Sequence, residues 1–333
     1  MDIENWLRVT PQGLCCVPGG FHIDPWQPVA RAVVTHGHSD HARAGHAAVL
    51  ATPPTLAIMA ARGAAPERGQ GLDYGRSVRI GDVSVRLAPA GHVLGSAQVV
   101  LEYEGTRAVV SGDYKRRPDP TCLPFEPVPC DLFVTEATFG LPVFRHPDDA
   151  DEIARLLHSV ALFPERCHLV GVYALGKCQR VIRLLRAAGY DQPIYVHGGL
   201  VEMCRLYEEW GVALGELRLA TGPSADELKG QIVLAPPSAL ADRWARRLPD
   251  PVTALASGWM RVRLRARQRG VELPLVISDH ADWDELCRTI DEVGAPELWV
   301  THGNEDALVH VAGQKGIAAR ALYLEGYEEE EAA

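Results

Sequence analysis

Residues 35–41 read Thr35-His36-Gly37-His38-Ser39-Asp40-His41 and directly follow the short apolar run Ala32-Val33-Val34. Such a run ending in a polar turn reads as a strand that stops at a loop. By composition alone, H-x-H-x-D-H is expected on the order of once in a thousand such chains. A loop at a strand end lets the alternating imidazoles of His36 and His38 aim at one ion. Asp40 and His41 can then turn toward a second. Imidazole and carboxylate are suitable ligands for Zn²⁺ and similar divalent ions.

More candidate ligands sit where other strands end. His92 lies in Ala90-Gly91-His92-Val93. Asp113 follows Val109-Val110, His280 follows Val276-Ile277, and His302 follows Trp299-Val300. Taken singly, each reads as an ordinary polar residue closing a strand. Together with residues 36–41 they are enough for two ions. The other histidines, His22, His46, His146, His158, His168, His197 and His310, lack this context. None of the eight cysteines forms a C-x-x-C pair, which argues against a thiolate site and for reduced thiols in the cytoplasm.

The chain has 333 residues, 47% of them hydrophobic, enough for a large core. No apolar run reaches the roughly 20 residues that span a bilayer, and the N-terminus lacks a signal-peptide pattern, so no membrane association is expected. Runs such as 83–87, 108–110, 132–134, 169–172, 194–196, 232–234, 275–277 and 298–300 read as strands. Helical patterns cover 148–161, 176–188, 201–210 and 282–293. The class is α/β. Net charge is −10, but the signs are segregated. Residues 243–269 hold eight arginines and one acid, Asp250, whereas Glu325 and Glu328 to Glu331 form an acidic tail.

The ordered set Asp24, residues 36–41, His92 and Asp113 resembles the metallo-β-lactamase superfamily. Glu136 in Thr135-Glu136-Ala137, Tyr173 to Lys177 before a helix, His280 and His302 narrow the resemblance to the β-CASP nucleases. Gly258-Trp259-Met260-Arg261 and the compact length resemble the bacterial ligase-associated DNA exonucleases. The resemblance implies a four-layer αββα sandwich carrying an inserted α/β domain that covers the cleft. It divides the chain into 1–140, an insert at 141–268, a return at 269–327 and the acidic tail 328–333.

The same resemblance implies roles. His36, His38 and His92 would hold one zinc. Asp40, His41 and His302 would hold the other, with Asp113 bridging and Asp24 orienting a ligand imidazole. Two Zn²⁺, or Mn²⁺ on nearly the same ligands, would activate water for in-line attack on phosphorus. Asp40 thus counts among the catalytic groups too. His280 would protonate the leaving oxygen, with Glu136 fixing its tautomer. Lys115, Lys177, Arg261 and Ser278 are candidate phosphate contacts. For Lys177 a plain helix start is an equal reading, and for the arginine segment a solvated face is too.

The function implied is a two-metal DNA exonuclease working in repair alongside a DNA ligase and a helicase. The alternative is an RNA-processing endo- or exonuclease of the same fold. A catalytically inert scaffold is a third reading, against which every ligand position is filled.

Overall fold

The computed structural model describes residues 3–324, so the acidic tail expected at 328–333 lies outside the described residues. The chain divides into two compact units. One comprises Met1–Val143 and His280–Ala333, the other Phe144–Asp279.

In the first unit, β1 (Leu7–Thr10), β2 (Gly13–Cys16), β3 (Phe21–Ile23), β4 (Ala32–Val33), β5 (Ala48–Ala51) and β6 (Arg68–Gly71) form one sheet in sequence order. The second sheet contains β7 (Ser77–Ile80), β8 (Val83–Pro89), β9 (Ala97–Tyr103), β10 (Thr106–Val110), β11 (Leu132–Ala137), β18 (Glu297–Gly303) and β19 (Ala318–Ala321). Its order is β19-β18-β11-β10-β9-β8-β7. Strands β10, β11, β18 and β19 run parallel, while β7 to β10 pair antiparallel.

The period-two pattern explains why the sheets stack. On β11, Leu132 and Val134 face one way, as do Ala108 and Val110 of β10 and Trp299 of β18. They meet Leu14, Phe21, Ile23 and Val33 from the first sheet. The alternate residues Phe133, Val109, Leu298 and Val300 face the other way. They pack on Leu286, Ile290 and Val293 of α6 (Trp283–Val293) and Leu308 of α7 (Glu305–Gln314). On the outer face of the first sheet, Val34, Val49 and Ala51 cover Met59 of α1 (Pro53–Ala61). Each fully buried side chain of this size contributes roughly 1.5–3 kcal/mol. The layers are therefore helix, sheet, sheet, helix, as the resemblance implies.

The second unit is built on an all-parallel sheet of β12 (His168–Gly171), β13 (Ile194–Val196), β14 (Leu217–Leu219), β15 (Ile232–Ala235), β16 (Val252–Ala256) and β17 (Leu273–Leu275). The order is β14-β13-β15-β12-β16-β17. Helices α2 (Asp149–Leu162), α3 (Lys177–Ala187) and α4 (Gly198–Glu209) occupy the expected helical stretches, and α5 (Arg263–Gln268) follows β16. The run read as a strand at 275–277 ends at Leu275. This unit continues to Asp279, past the expected return at 269, because β17 pairs with β16 through Ala254↔Leu273 and Ala256↔Leu275.

No described helix is long and apolar enough to cross a membrane.

Candidate metal centre

The loop after β4 brings His36, His38 and His41 inside, each under 10% exposed. His36 Nε2 lies 3.1 Å from His38 Nδ1, which lies 3.0 Å from Nε2 of His92. The Asp113 carboxylate stands 3.4 Å from His36 Nε2, 3.4 Å from His41 Nε2 and 3.8 Å from both His92 and His302. Asp40 Oδ2 is 3.6 Å from His41 Nε2. Two groups of converging ligand atoms result, His36-His38-His92-Asp113 and His41-Asp113-His302, with Asp113 common to both.

Three converging imidazole nitrogens and a carboxylate are the donor types that a divalent cation binds, each supplying a lone pair. Asp40 Oδ1 is buried with no hydrogen-bond partner among the described residues, a cost that ion binding removes. The donor set therefore fits divalent metal.

Asp24 lies behind the ligands. Its Oδ2 stands 2.8 Å from His41 Nδ1, so Nδ1–H donates and Nε2 is left as the ligand atom. The same carboxylate accepts from Thr35 N at 2.8 Å and Thr35 Oγ1 at 2.5 Å. With its hydroxyl proton committed to Asp24, Thr35 Oγ1 accepts from His36 Nδ1 at 3.0 Å. One carboxylate thus sets two tautomers, one directly and one through a threonine. Sequence reasoning misses Thr35. Its only signal is its place one residue before the first histidine.

Backbone conformation aims the remaining ligands. Gly112 has φ +56, and a Cβ there would meet Thr35 Cβ at 2.7 Å, so glycine lets the Asp113 turn approach the His36 loop. On β18 the register with β11 shifts between Glu136↔Thr301 and Ala137↔Gly303, which leaves His302 as the extra residue. His302 has φ +56 and Asp24 φ +41, conformations that cost a non-glycine residue on the order of 1–3 kcal/mol. A bulge of this kind re-aims a side chain, here toward Asp113.

Next to the ligands, Glu136 is buried at the end of β11. Its carboxylate accepts from Tyr114 N at 2.7 Å and lies 3.0 Å from His280 Nδ1. This leaves His280 Nε2 as the outward nitrogen. A third convergent group, Asp113-Glu136-His280, ties the pair to the metal ligands.

The expected phosphate contacts divide differently. Lys115 and Lys177 are both fully buried, against the expectation that they offer charge to phosphate. Lys115 Nζ is 3.6 Å from Glu285 Oε2, and Lys177 Nζ is 3.2 Å from Asp279 Oδ2. Their charges are met by internal carboxylates because burial of an unpaired ammonium is costly. Ser278 is buried as well. Arg261 is exposed, as are Arg263, Arg265, Arg267 and Arg269. The Arg265 guanidinium stacks 3.8 Å from the Trp259 ring centroid.

Protonation follows from these neighbours. Burial, then the nearby His41, drives His36 down to about 4, and burial with His280 holds His92 well below the usual histidine range. Burial also disfavours charge on His41, but Asp113 and Asp40 outweigh it and raise His41 well above that range. Metal-free protein at neutral pH therefore has His41 as the doubly protonated imidazolium and His36 and His92 as neutral imidazoles. A cation entering beside His41 expels one of that residue's protons, so affinity on that side weakens as pH falls. Calorimetric titration of metal into chelator-treated protein at pH 7, in buffers of different ionisation enthalpy, should show release of about one proton. A binding heat that does not change with buffer would rule this protonation pattern out.

This is a divalent-metal centre in an αββα frame, the architecture of a class of metal-dependent hydrolases. Residues 23–169 match the metallo-β-lactamase superfamily, so the chain contains a metallo-β-lactamase domain. It is 30% identical over 332 residues to a probable DNA ligase of Opitutus terrae, covering 95% of this chain and 31% of that protein. It is 23% identical over 326 residues to the endoribonuclease ysh1 of Emericella nidulans, covering 72% and 37%. A probable RNase of Methanocaldococcus jannaschii is 28% identical over 44% of this chain and 35% of its own length. The chain thus spans about a third of the length of these curated relatives. Among solved structures, a protein of unknown function from Enterococcus faecalis V583 shares the fold. Its TM-score is 0.53 at 15% identity, over 89% of this chain and 80% of that one.

Proposed function

We propose that this chain is a two-metal phosphodiesterase that degrades DNA from an end, with the second unit as its β-CASP insert. The observation that carries the reading is the convergence of three ligand groups on Asp113, one of them containing the His280–Glu136 pair. His36, His38 and His92 would hold one ion, and Asp40, His41 and His302 the other. The ligand types favour zinc and also accept manganese. When bound, such ions acidify water toward neutrality and offset the charge of the phosphate.

The protein's own groups supply the rest. Asp24 and Thr35 hold His41 and His36 in the ligating tautomer. Glu136 holds a proton on His280 Nδ1, so Nε2–H can pass its proton to the leaving oxygen as the P–O bond breaks. The exposed arginines at 261–269 suit a nucleic-acid partner, since phosphate neutralisation supplies most non-specific affinity. The ligase-named relative supports DNA and work alongside a ligase, because its similarity runs along nearly this whole chain. All eight cysteines are free, which suits a reducing compartment such as the cytoplasm.

The relatives named as an endoribonuclease and as a probable RNase favour a second reading, RNA as substrate. Digestion of end-labelled DNA and RNA by metal-quantified protein decides between them. Expected is stepwise loss of nucleotides from one end of DNA, lost in His38→Ala. Full activity in His38→Ala would sink the metal-centre assignment, and cleavage of RNA alone would transfer the function to the second reading.

A further inference from the structure

Lys115 is two residues beyond the shared ligand Asp113, yet its side chain turns away from solvent. Its Nζ donates to the main-chain oxygen of His280 at 3.0 Å and lies 3.6 Å from Glu285 Oε2. The neighbouring residues reach the same segment. Ala281 N donates to Tyr114 O at 2.7 Å, and Arg117 Nη2 to Asp282 Oδ2 at 2.8 Å. Arg117 Nε is 3.3 Å from Glu285 Oε1. Asp282 and Glu285 are themselves the reciprocal cap of α6, with Asp282 N donating to Glu285 at 3.1 Å and Glu285 N to Asp282 at 2.9 Å. The turn that carries Asp113 and the turn that carries His280 are thus joined by ionic and backbone bonds.

From this geometry we infer that Lys115 is a positioning residue that holds His280 in register with the metal ligands. The inference rests on His280 acting as general acid. A side chain can transfer a proton in the transition state only from hydrogen-bond reach. Glu136 sets the tautomer and tilt of the imidazole, but the depth of its Cα is set by the main chain. There the Lys115 ammonium is a charge-assisted donor, stronger than a neutral one. Because Lys115 lies in the buried interior, its bond to the His280 carbonyl does not compete with water.

Leaving-group dependence separates positioning from a general structural role. A nucleotide alkoxide leaves poorly without a proton, whereas 4-nitrophenolate needs none. Lys115→Met should slow cleavage of a DNA oligonucleotide on the order of 10²-fold in kcat, with KM little changed. Hydrolysis of bis(4-nitrophenyl) phosphate should fall no more than about threefold. The pH–rate limb assigned to the acid should flatten as well. Equal loss on both substrates, or no loss on either, overturns the inference.

His280→Ala is run beside it. If His280→Ala itself spares neither substrate selectively, the general-acid reading fails first. If it shows the selective pattern and Lys115→Met does not, the positioning role fails alone. Should Lys115→Met not fold, the double variant Lys115→Met/Glu285→Gln removes both buried charges together and is read by the same two substrates.

Discussion

Asp113→Ala is expected to empty both halves of the metal centre and to abolish hydrolysis. Its carboxylate faces His36, His41, His92 and His302, and it is common to all three convergent ligand groups. Removing any single histidine leaves two of these groups intact, whereas removing Asp113 leaves none. Metal content should drop from two ions to under one per chain. Loss of the several kcal/mol that such ions contribute corresponds to about 10³-fold or more in kcat/KM. The variant should still fold, since Asp113 lies on a turn outside the strand ladder. Elemental analysis, circular dichroism and a phosphodiester assay on one preparation check all three points. Two retained ions would show that another residue bridges.

His280→Ala should behave differently. Its imidazole meets Glu136 and lies outside the two main ligand groups, so metal content should be unchanged. Activity on nucleic acid should fall by about 10²- to 10⁴-fold, the usual contribution of a positioned acid. The sign of the pH effect follows from its role. An acid must be protonated to act, so the wild-type rate falls as pH rises through its apparent pKa. The variant should lose that limb while keeping the one set by metal and water. A rate profile with both limbs intact would remove His280 from the reaction.

Much of this centre is legible in the amino-acid sequence. Residues 36–41 state their chemistry locally, because three imidazoles and a carboxylate on one loop have little else to do. Strands β8 and β11 are legible by alternation and β-branching, and α6 by its Asp282 cap and apolar stripe. What the sequence hides depends on partners distant in the chain. Thr35 reads as a filler residue until Asp24 is found on its hydroxyl. Lys115 and Lys177 read as candidate phosphate contacts, with a plain helix start an equal reading for Lys177, and only the fold places them against Glu285 and Asp279. The end of β17 is misread by two residues because a parallel edge strand is defined by its neighbour, here β16, more than by its own residues.

The sequence by itself determined the ligand types, their grouping at strand ends and the α/β class, since these follow from residue chemistry and from period-two and period-3.6 burial, while the layering was implied by the family resemblance. The tertiary structure decided which lone pairs converge. It did so through a carboxylate shared by two histidine sets and a bulge that turns His302 inward at positive φ. It also committed a lysine to holding the His280 turn. These choices rest on distances between segments far apart in the chain, which local spacing does not encode.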